Sequence, residues 1–352
     1  MGQNEKPRSA VMSDVAQLAG VSHQTVSRVL HDSPAVRPET RERVLAAMKE
    51  LDYRPNSAAR ALVTGRTRTL GVISFDTTLY GPASAILGIE RAAHDAGYFI
   101  IIVSLRSLTR ESVRGALERL RDRGVDGIVV IAPQETAADA LRDLPPGVPV
   151  VAAEAGPGDA IPVAQVDQLA GARLATQHLL DLGHATVHHI AGPNDFMEAG
   201  KRVEGWRATL QEAGITAPEP LIGDWSASCG YELGNRLLEQ QDEPVTAVFV
   251  ANDPMALGFL RAVHERGLDA PRDISVVGFD DVPEAAFFSP PLTSVRQDFD
   301  EIGRRALALL LDHMQNGAAP RGVVVAPELV VRQSTAAPAA APAVAPTPGG
   351  ER

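Results

Sequence analysis

Residues 22–30, SHQTVSRVL, interleave polar side chains with apolar ones in a pattern suited to reading a nucleic acid. If Val26, Val29 and Leu30 turn to a core at helical spacing, His23, Gln24 and Arg28 are left facing outward. In a major groove, Gln pairs bidentately with adenine and Arg with guanine, so such a face could read base edges directly. An ordinary solvated helix shows the same stripe, so the segment alone leaves both readings open.

The neighbouring residues supply what would position that face. Ser13 can cap a helix whose apolar positions Val15, Ala16, Leu18 and Ala19 line one side, and Gly20 permits the sharp turn after it. Ser22 can cap the next helix. Two short helices joined by a Gly-containing turn form a helix-turn-helix, whose second helix can lie in a major groove. A third helix is expected from Pro38 to about Leu51, with Pro in its first turn and Val44, Ala47, Met48 and Leu51 on the buried side. Charge agrees with this division. Residues 1–68 carry 11 Lys and Arg against 7 Asp and Glu, whereas the remainder carries 22 against 37. A basic module on an acidic body confines nucleic-acid contact to one end.

At 352 residues the chain exceeds what one core usually supports. From Leu70 onward, TLGVISF, YFIIIVS, DGIVVIA, VPVVAAE, TVHHIAG, TAVFVAND and ISVVGFDD alternate with helical stretches. That alternation predicts parallel sheets with helices on both faces, in two units. Open sheets of this kind bind ligands at the carboxyl ends of their strands. Polar groups stand there: Glu154, Asn252 with Asp253, and Asp280 with Asp281.

The two segments DVAQLAGVSHQTVSRVLH and TRERVLAAMKELDYRPNSAARAL resemble the headpiece of the lactose/galactose repressor (LacI/GalR) family of bacterial transcription regulators. The resemblance runs from about Ala10 to Thr335 and is nearest to the family's lactose-responsive branch. It implies a base-reading role for His23, Gln24 and Arg28, and phosphate-side positions for Ser22, Thr25, Ser27 and Asn56. Segment 56–66 then corresponds to a hinge helix that inserts Leu62 into the minor groove. His31 and Arg37 depart from the family, which usually has Asn and a Ser or Thr cap there. For the body the resemblance implies a two-lobed fold of the periplasmic-binding-protein type around a sugar-sized cleft. AGPNDFMEAGKRVEGW places Arg202 on sugar hydroxyls, VAND places Asn252 beside it, VVGFDD supplies Asp280, GDWSASCG supplies Trp225 as an apolar wall, and RQDFDEIG supplies Phe299. Asn252 could equally cap the helix starting at Pro254, and Trp225 could be core. Glu154 stands where the lactose-responsive branch has Asp, Ile131 where it has Asn and Phe75 where it has Ser; the last two are expected to reshape one side of the cleft.

Other chemistry is not called for. His178, His184, His188 and His189 straddle a helix, a turn and a strand and would not converge on a metal. GxSxG, Walker, HExxH and GxGxxG patterns are missing, so neither catalysis nor a cofactor is expected. No apolar run approaches a membrane span and the first residues lack a signal core, which predicts a cytoplasmic protein. The expected organisation is a flexible 1–10, an all-α headpiece at 11–55, the hinge at 56–66, a two-lobed α/β effector and dimerisation domain at 69–333, and a disordered Ala/Pro-rich tail at 334–352. The functional expectation is a homodimeric repressor of a carbohydrate operon that binds operator DNA and is released by a sugar. A β-galactoside is the first candidate and a β-glucoside or other disaccharide the alternative; a regulator whose ligand promotes DNA binding is the rival.

Overall fold

The computed structural model describes residues 10–30, 33–54, 61, 65–105, 109–131, 133–134, 147–154, 161–239, 244–317 and 321–339. It divides into two compact units, Met1–Thr67 and Arg68–Arg352.

The first unit holds α1 (Met12–Ala19), α2 (His23–Leu30) and α3 (Pro38–Glu50). Ser13 does not cap α1: Val11 occupies the N-cap, and its backbone N–H donates to the Asp14 carboxylate at 2.9 Å. Ser13 falls inside the first turn, and Asp14 in that turn accepts the N-cap N–H and complements the positive end of the helix. Gly20 closes the helix in the left-handed region (φ 64°), and Ser22 caps α2 by accepting the Thr25 N–H at 3.2 Å. Val15, Ala16, Ala19, Val26, Val29, Val44 and Ala47 form the core, with Leu30, Met48 and Leu51 half-buried at its edge. Leu18, expected in that core, is 46% exposed. Three short helices have too narrow a shared interior to take every apolar position of α1.

The second unit contains two six-stranded sheets. The first has the order β11-β5-β4-β3-β1-β2, built from β1 (Thr69–Phe75), β2 (Phe99–Leu105), β3 (Gly127–Ile131), β4 (Val150–Ala153), β5 (Val163–Val166) and β11 (Val323–Val325), all parallel. The second has the order β12-β10-β9-β8-β6-β7, from β6 (His188–Ala191), β7 (Leu221–Ile222), β8 (Ala247–Val250), β9 (Ser275–Asp280), β10 (Thr293–Arg296) and β12 (Glu328–Val330), with only the β10–β12 pair antiparallel. Every residue of β3, β4, β8 and β9 is buried, as a parallel strand covered on both faces requires. On the first sheet, α4 (Tyr80–Asp95) and α10 (Phe299–Asn316) cover one face and α5 (Arg110–Asp122) the other. On the second, α8 (Ala227–Glu239) and α9 (Asp253–Glu265) lie opposite α6 (Gln168–Asp181) and α7 (Met197–Glu212).

Glycines let paired helices touch through their backbones. A Cβ on Gly303 of α10 would fall on the backbone of Gly88 in α4, and one on Gly258 of α9 on the backbone of Ala227 in α8. The chain passes between the sheets three times, after β5, after β10 and after β11. The lobes also meet at the cleft rim, where the Met197 N–H donates to the Pro133 carbonyl at 3.0 Å and the Gln134 amide to Asp195 at 2.9 Å.

The tail does not begin at Ser334. That residue is fully buried; its hydroxyl donates to the Val276 carbonyl at 2.6 Å and accepts the Thr293 N–H at 2.8 Å. Ala336 follows it onto the sheet, exchanging hydrogen bonds with the Ser275 side chain. His178 and His184 bond this strap through Thr335 and the Ala336 carbonyl, while His189 is buried against Phe249 and Trp206. These histidines thus serve separate packing roles. Ser334→Ala leaves a buried N–H and a buried carbonyl without their partner and should cost about 1–3 kcal/mol, read from urea unfolding. An unchanged midpoint would show that the strap is dispensable.

Candidate functional site

Helix α2 presents the outward face expected of it. His23, Gln24 and Arg28 of α2 are exposed, as is Ser22, while Val26 and Val29 are buried. Thr25 and Ser27 are half-buried, and the Ser22 and Thr25 hydroxyls are 2.9 Å apart within the cap. Arg37 sits at the N-cap of α3 without a side-chain bond to it. Asn56, Leu62 and His31 lie outside the described residues.

In the second unit, Glu154, Arg202, Trp225, Asn252, Asp280 and Phe299 all line one cavity of about 490 Å³ between the two sheets. Arg202, in the middle of α7, is 3% exposed. Its Nε donates to Gln168 Oε1 at 2.9 Å, its Nη1 donates to the Ala251 carbonyl, and its Nη2 lies 3.9 Å from Asp280. The guanidinium carbon stands 3.8 Å from the Phe279 ring centroid and 5.5 Å from that of Trp225. Gln168 Nε2 donates to Gln297 Oε1 at 2.7 Å, and Gln297 Nε2 donates to Asp280 at 2.6 Å. Four side chains therefore close a ring, and two of them begin the passages that follow β5 and β10.

Each acidic or amide pair at a strand end divides its labour. Asn252 faces the cavity, caps α9 by accepting the Met255 N–H at 2.9 Å, and donates to the Trp225 carbonyl at 3.0 Å. Asn252 thus caps the helix while facing the cavity, and it also fixes the aromatic wall. Asp253 is fully buried and accepts from the Ser294 hydroxyl and the Val282 N–H. Asp280 faces the cavity, whereas Asp281 pairs with Arg296 at 2.7 Å and Arg332 at 2.6 Å. Glu154 accepts the Val166 N–H at 3.2 Å.

Glu154, Trp225 and Asp280 have φ of 50°, 75° and 103°. Side chains with a Cβ pay roughly 1–3 kcal/mol for such conformations, which gather at ligand sites when the surroundings hold them. Trp225 is also seated edge-on over Gly192, where a Cβ would strike its ring. Phe196 packs T-shaped on Trp225, and Tyr80 T-shaped on Phe299. Ile131 lines the cavity, as expected of a position that reshapes it. Phe75 does not; it packs among the apolar residues of both lobes, because β1 ends where the sheets approach.

Several lining residues were not singled out from sequence. Glu198 is the chief one, four residues before Arg202 and so on the same face of α7. That spacing was a signal available in MEAGKR. Gln297, Tyr80, Asp224 and Phe196 complete the polar and aromatic lining. Burial pushes Glu198 up to about 7 against the opposing pull of Arg202, with Asp280 adding to the rise. Burial raises Asp280 to about 6, again opposed by Arg202 and by the Gln297 amide. Glu154 is raised well above the carboxylate range by burial and by Glu198.

A helix-turn-helix unit followed in the chain by a two-lobed domain with a sugar-sized polar cleft defines a ligand-responsive transcription regulator. Residues 11–56 match the bacterial regulatory proteins of the lacI family, and residues 176–335 match a periplasmic binding protein-like domain. The HTH-type transcriptional repressor PurR of Haemophilus influenzae is 35% identical over 92% of this chain and 98% of its own. The lactose operon repressor of Escherichia coli is 34% identical over 94% and 92%. A crystal structure of the lac repressor dimer bound to operator and the anti-inducer ONPF superposes with a TM-score of 0.84 and 34% identity, covering 94% of this chain and all of that one. The chain belongs to the lacI family of bacterial regulatory proteins and is a transcriptional repressor.

The raised pKa of Glu198 has a signed consequence. Its native form keeps a proton that an unfolded chain releases near 4.5, so the stability it contributes is complete below that pH and is lost as pH rises through about 7. Wild type should therefore lose stability relative to Glu198→Gln between pH 4.5 and 8, by at most about 1.4 kcal/mol per unit. Urea unfolding of both proteins across that range checks this; a constant difference refutes it.

Proposed function

We propose that the protein binds operator DNA as a homodimer, reads it through His23, Gln24 and Arg28, and is released when a small saccharide enters the cleft. The observation that carries the saccharide reading is the convergence of Arg202, Asn252, Asp280 and Trp225 on one cavity from four separate segments. Polyhydroxyl ligands need donors and acceptors beside an apolar ring face, and this set offers all three. A β-galactoside is the first candidate skeleton and a β-glucoside the second. The PurR repressor and the lactose operon repressor match at nearly equal identity, so the skeleton is a matter for titration.

Release follows from the ring of Arg202, Gln168, Gln297 and Asp280. A saccharide that bonds Asp280 and the face of Arg202 competes with the bonds holding the two passages together, and so favours a different disposition of the lobes. The phosphate and minor-groove roles of Ser22, Thr25, Ser27, Asn56 and Leu62 belong to the same proposal. The protein works by binding and not by catalysis, in the cytoplasm where its DNA lies; no described helix is long and apolar enough to cross a membrane.

The test is operator affinity, by fluorescence anisotropy at fixed salt, on a duplex selected from a random library, with and without each saccharide. Affinity should fall in the presence of the effector; a rise would reverse the sign of regulation, and no change with any saccharide would remove the reading. Arg28→Ala should weaken specific binding by about 1–3 kcal/mol and relax preference at one base position, leaving the salt-driven component in place. Trp225→Ala should keep operator affinity and lose the response to saccharide.

A further inference from the structure

The cleft is electrically one-sided. Among the described residues that line it, Glu154, Glu198, Asp224 and Asp280 are acidic and Arg202 is the single base. That base is already committed. Two of its nitrogens donate to Gln168 and Ala251, the third lies 3.9 Å from Asp280, and aromatic rings stand over the guanidinium. An anionic group on a ligand would find no uncommitted cation among the described residues, and its charge would push further up the carboxyl groups of Glu198, Asp280 and Glu154 that burial already raises.

The carboxylates are not equivalent. Glu154 accepts from Val166, Asp280 from Gln297, and Asp224 from the N–H and hydroxyl of Ser226. Glu198 accepts from no described residue and makes no ion pair with one, although it faces the cavity from the first turn of α7. The site thus offers a spare carboxylate acceptor and, among its described residues, no spare cation.

We propose that the cleft takes a saccharide bearing a protonated amino group, received by the Glu198 carboxylate, and turns away acidic and phosphorylated saccharides. The proposal rests on the saccharide reading given above and adds the charge of the ligand to it. A hydroxyl in place of the ammonium also donates to Glu198, but a charge-assisted bond is roughly twice as strong as a neutral one. The ammonium also favours the ionised form of Glu198, which burial pushes up to about 7, whereas a hydroxyl leaves that burial cost uncompensated.

The experiment is calorimetric titration of the full-length protein, at neutral pH, with three matched sets. The amino set is glucosamine, galactosamine and the deacetylated glucosamine disaccharide; the neutral set is glucose, galactose, cellobiose and lactose; the acidic set is glucuronate and glucose 6-phosphate. The tightest amino member should bind about tenfold or more tightly than its neutral counterpart, and the acidic set should not bind. Glu198→Gln should abolish the amino preference while leaving neutral affinity within about threefold, and Glu198→Asp should retain part of it. Neutral members binding as tightly as amino ones, an acidic member binding, or a preference that survives Glu198→Gln each overturns the proposal and leaves the saccharide reading standing. Binding by no member of any set overturns both.

Discussion

The second unit depends on keeping a buried guanidinium satisfied. Arg202 cannot lose its charge, and an unpaired cation in the interior would cost several kcal/mol, so every element around it supplies an acceptor. Gln168 does so at the passage from the first sheet into α6, Ala251 at the end of β8 and Asp280 at the end of β9. Gln297, at the passage into α10, then bonds Gln168 and Asp280 and completes the circuit. Because the two glutamines sit on the chain segments that cross between sheets, the electrostatics of one side chain and the relative placement of two lobes are a single problem. A fully satisfied polar network of this kind specifies one arrangement, and partial loss of its bonds is costly.

The same economy explains why the strand ends carry polar residues in pairs. One member faces the cavity and the other holds the backbone that presents it. Asp253 anchors the Val282 N–H and the Ser294 hydroxyl, and Asp281 gathers Arg296 and Arg332, so that Asn252 and Asp280 are aimed by rigid neighbours. The left-handed backbone at Glu154, Trp225 and Asp280 is held by such contacts, among them the Asn252 amide on the Trp225 carbonyl.

Much of this was legible before any coordinates. The headpiece was readable because caps, a Gly turn and helical spacing are local, and β3, β4, β8 and β9 because burial on both faces leaves apolar runs. What escaped were elements whose signal is short or mixed. VAQV and TSVR span four residues each with polar side chains among them, so β5 and β10 passed unnoticed, and with them the special position of Gln168 and Gln297. Glu198 was overshadowed by Arg202 one turn later. Ser334 and Ala336 were lost in a stretch whose Ala and Pro content suggested disorder, although the Thr293 N–H and the Ser275 hydroxyl on the facing strands dock them. Leu18 erred in the other direction: its period is right, but the core behind it is too small. Phe75 shows the limit of matching position by position, because equivalence along a strand does not fix which side of its end a side chain occupies.

The glycine contacts between helices bear on how such a protein can diversify. Where Gly303 meets Gly88 in one lobe and Gly258 meets Ala227 in the other, the paired helices touch backbone to backbone and leave no room for a side chain at the contact. Inherited change at those positions is closed off unless the helices move apart. Residues of the cavity wall such as Ile131 and Glu198 carry no such constraint. A lineage can therefore exchange one effector for another by altering the wall while the scaffold stays fixed, and divergence should be concentrated in the lining and sparse at the helix seams.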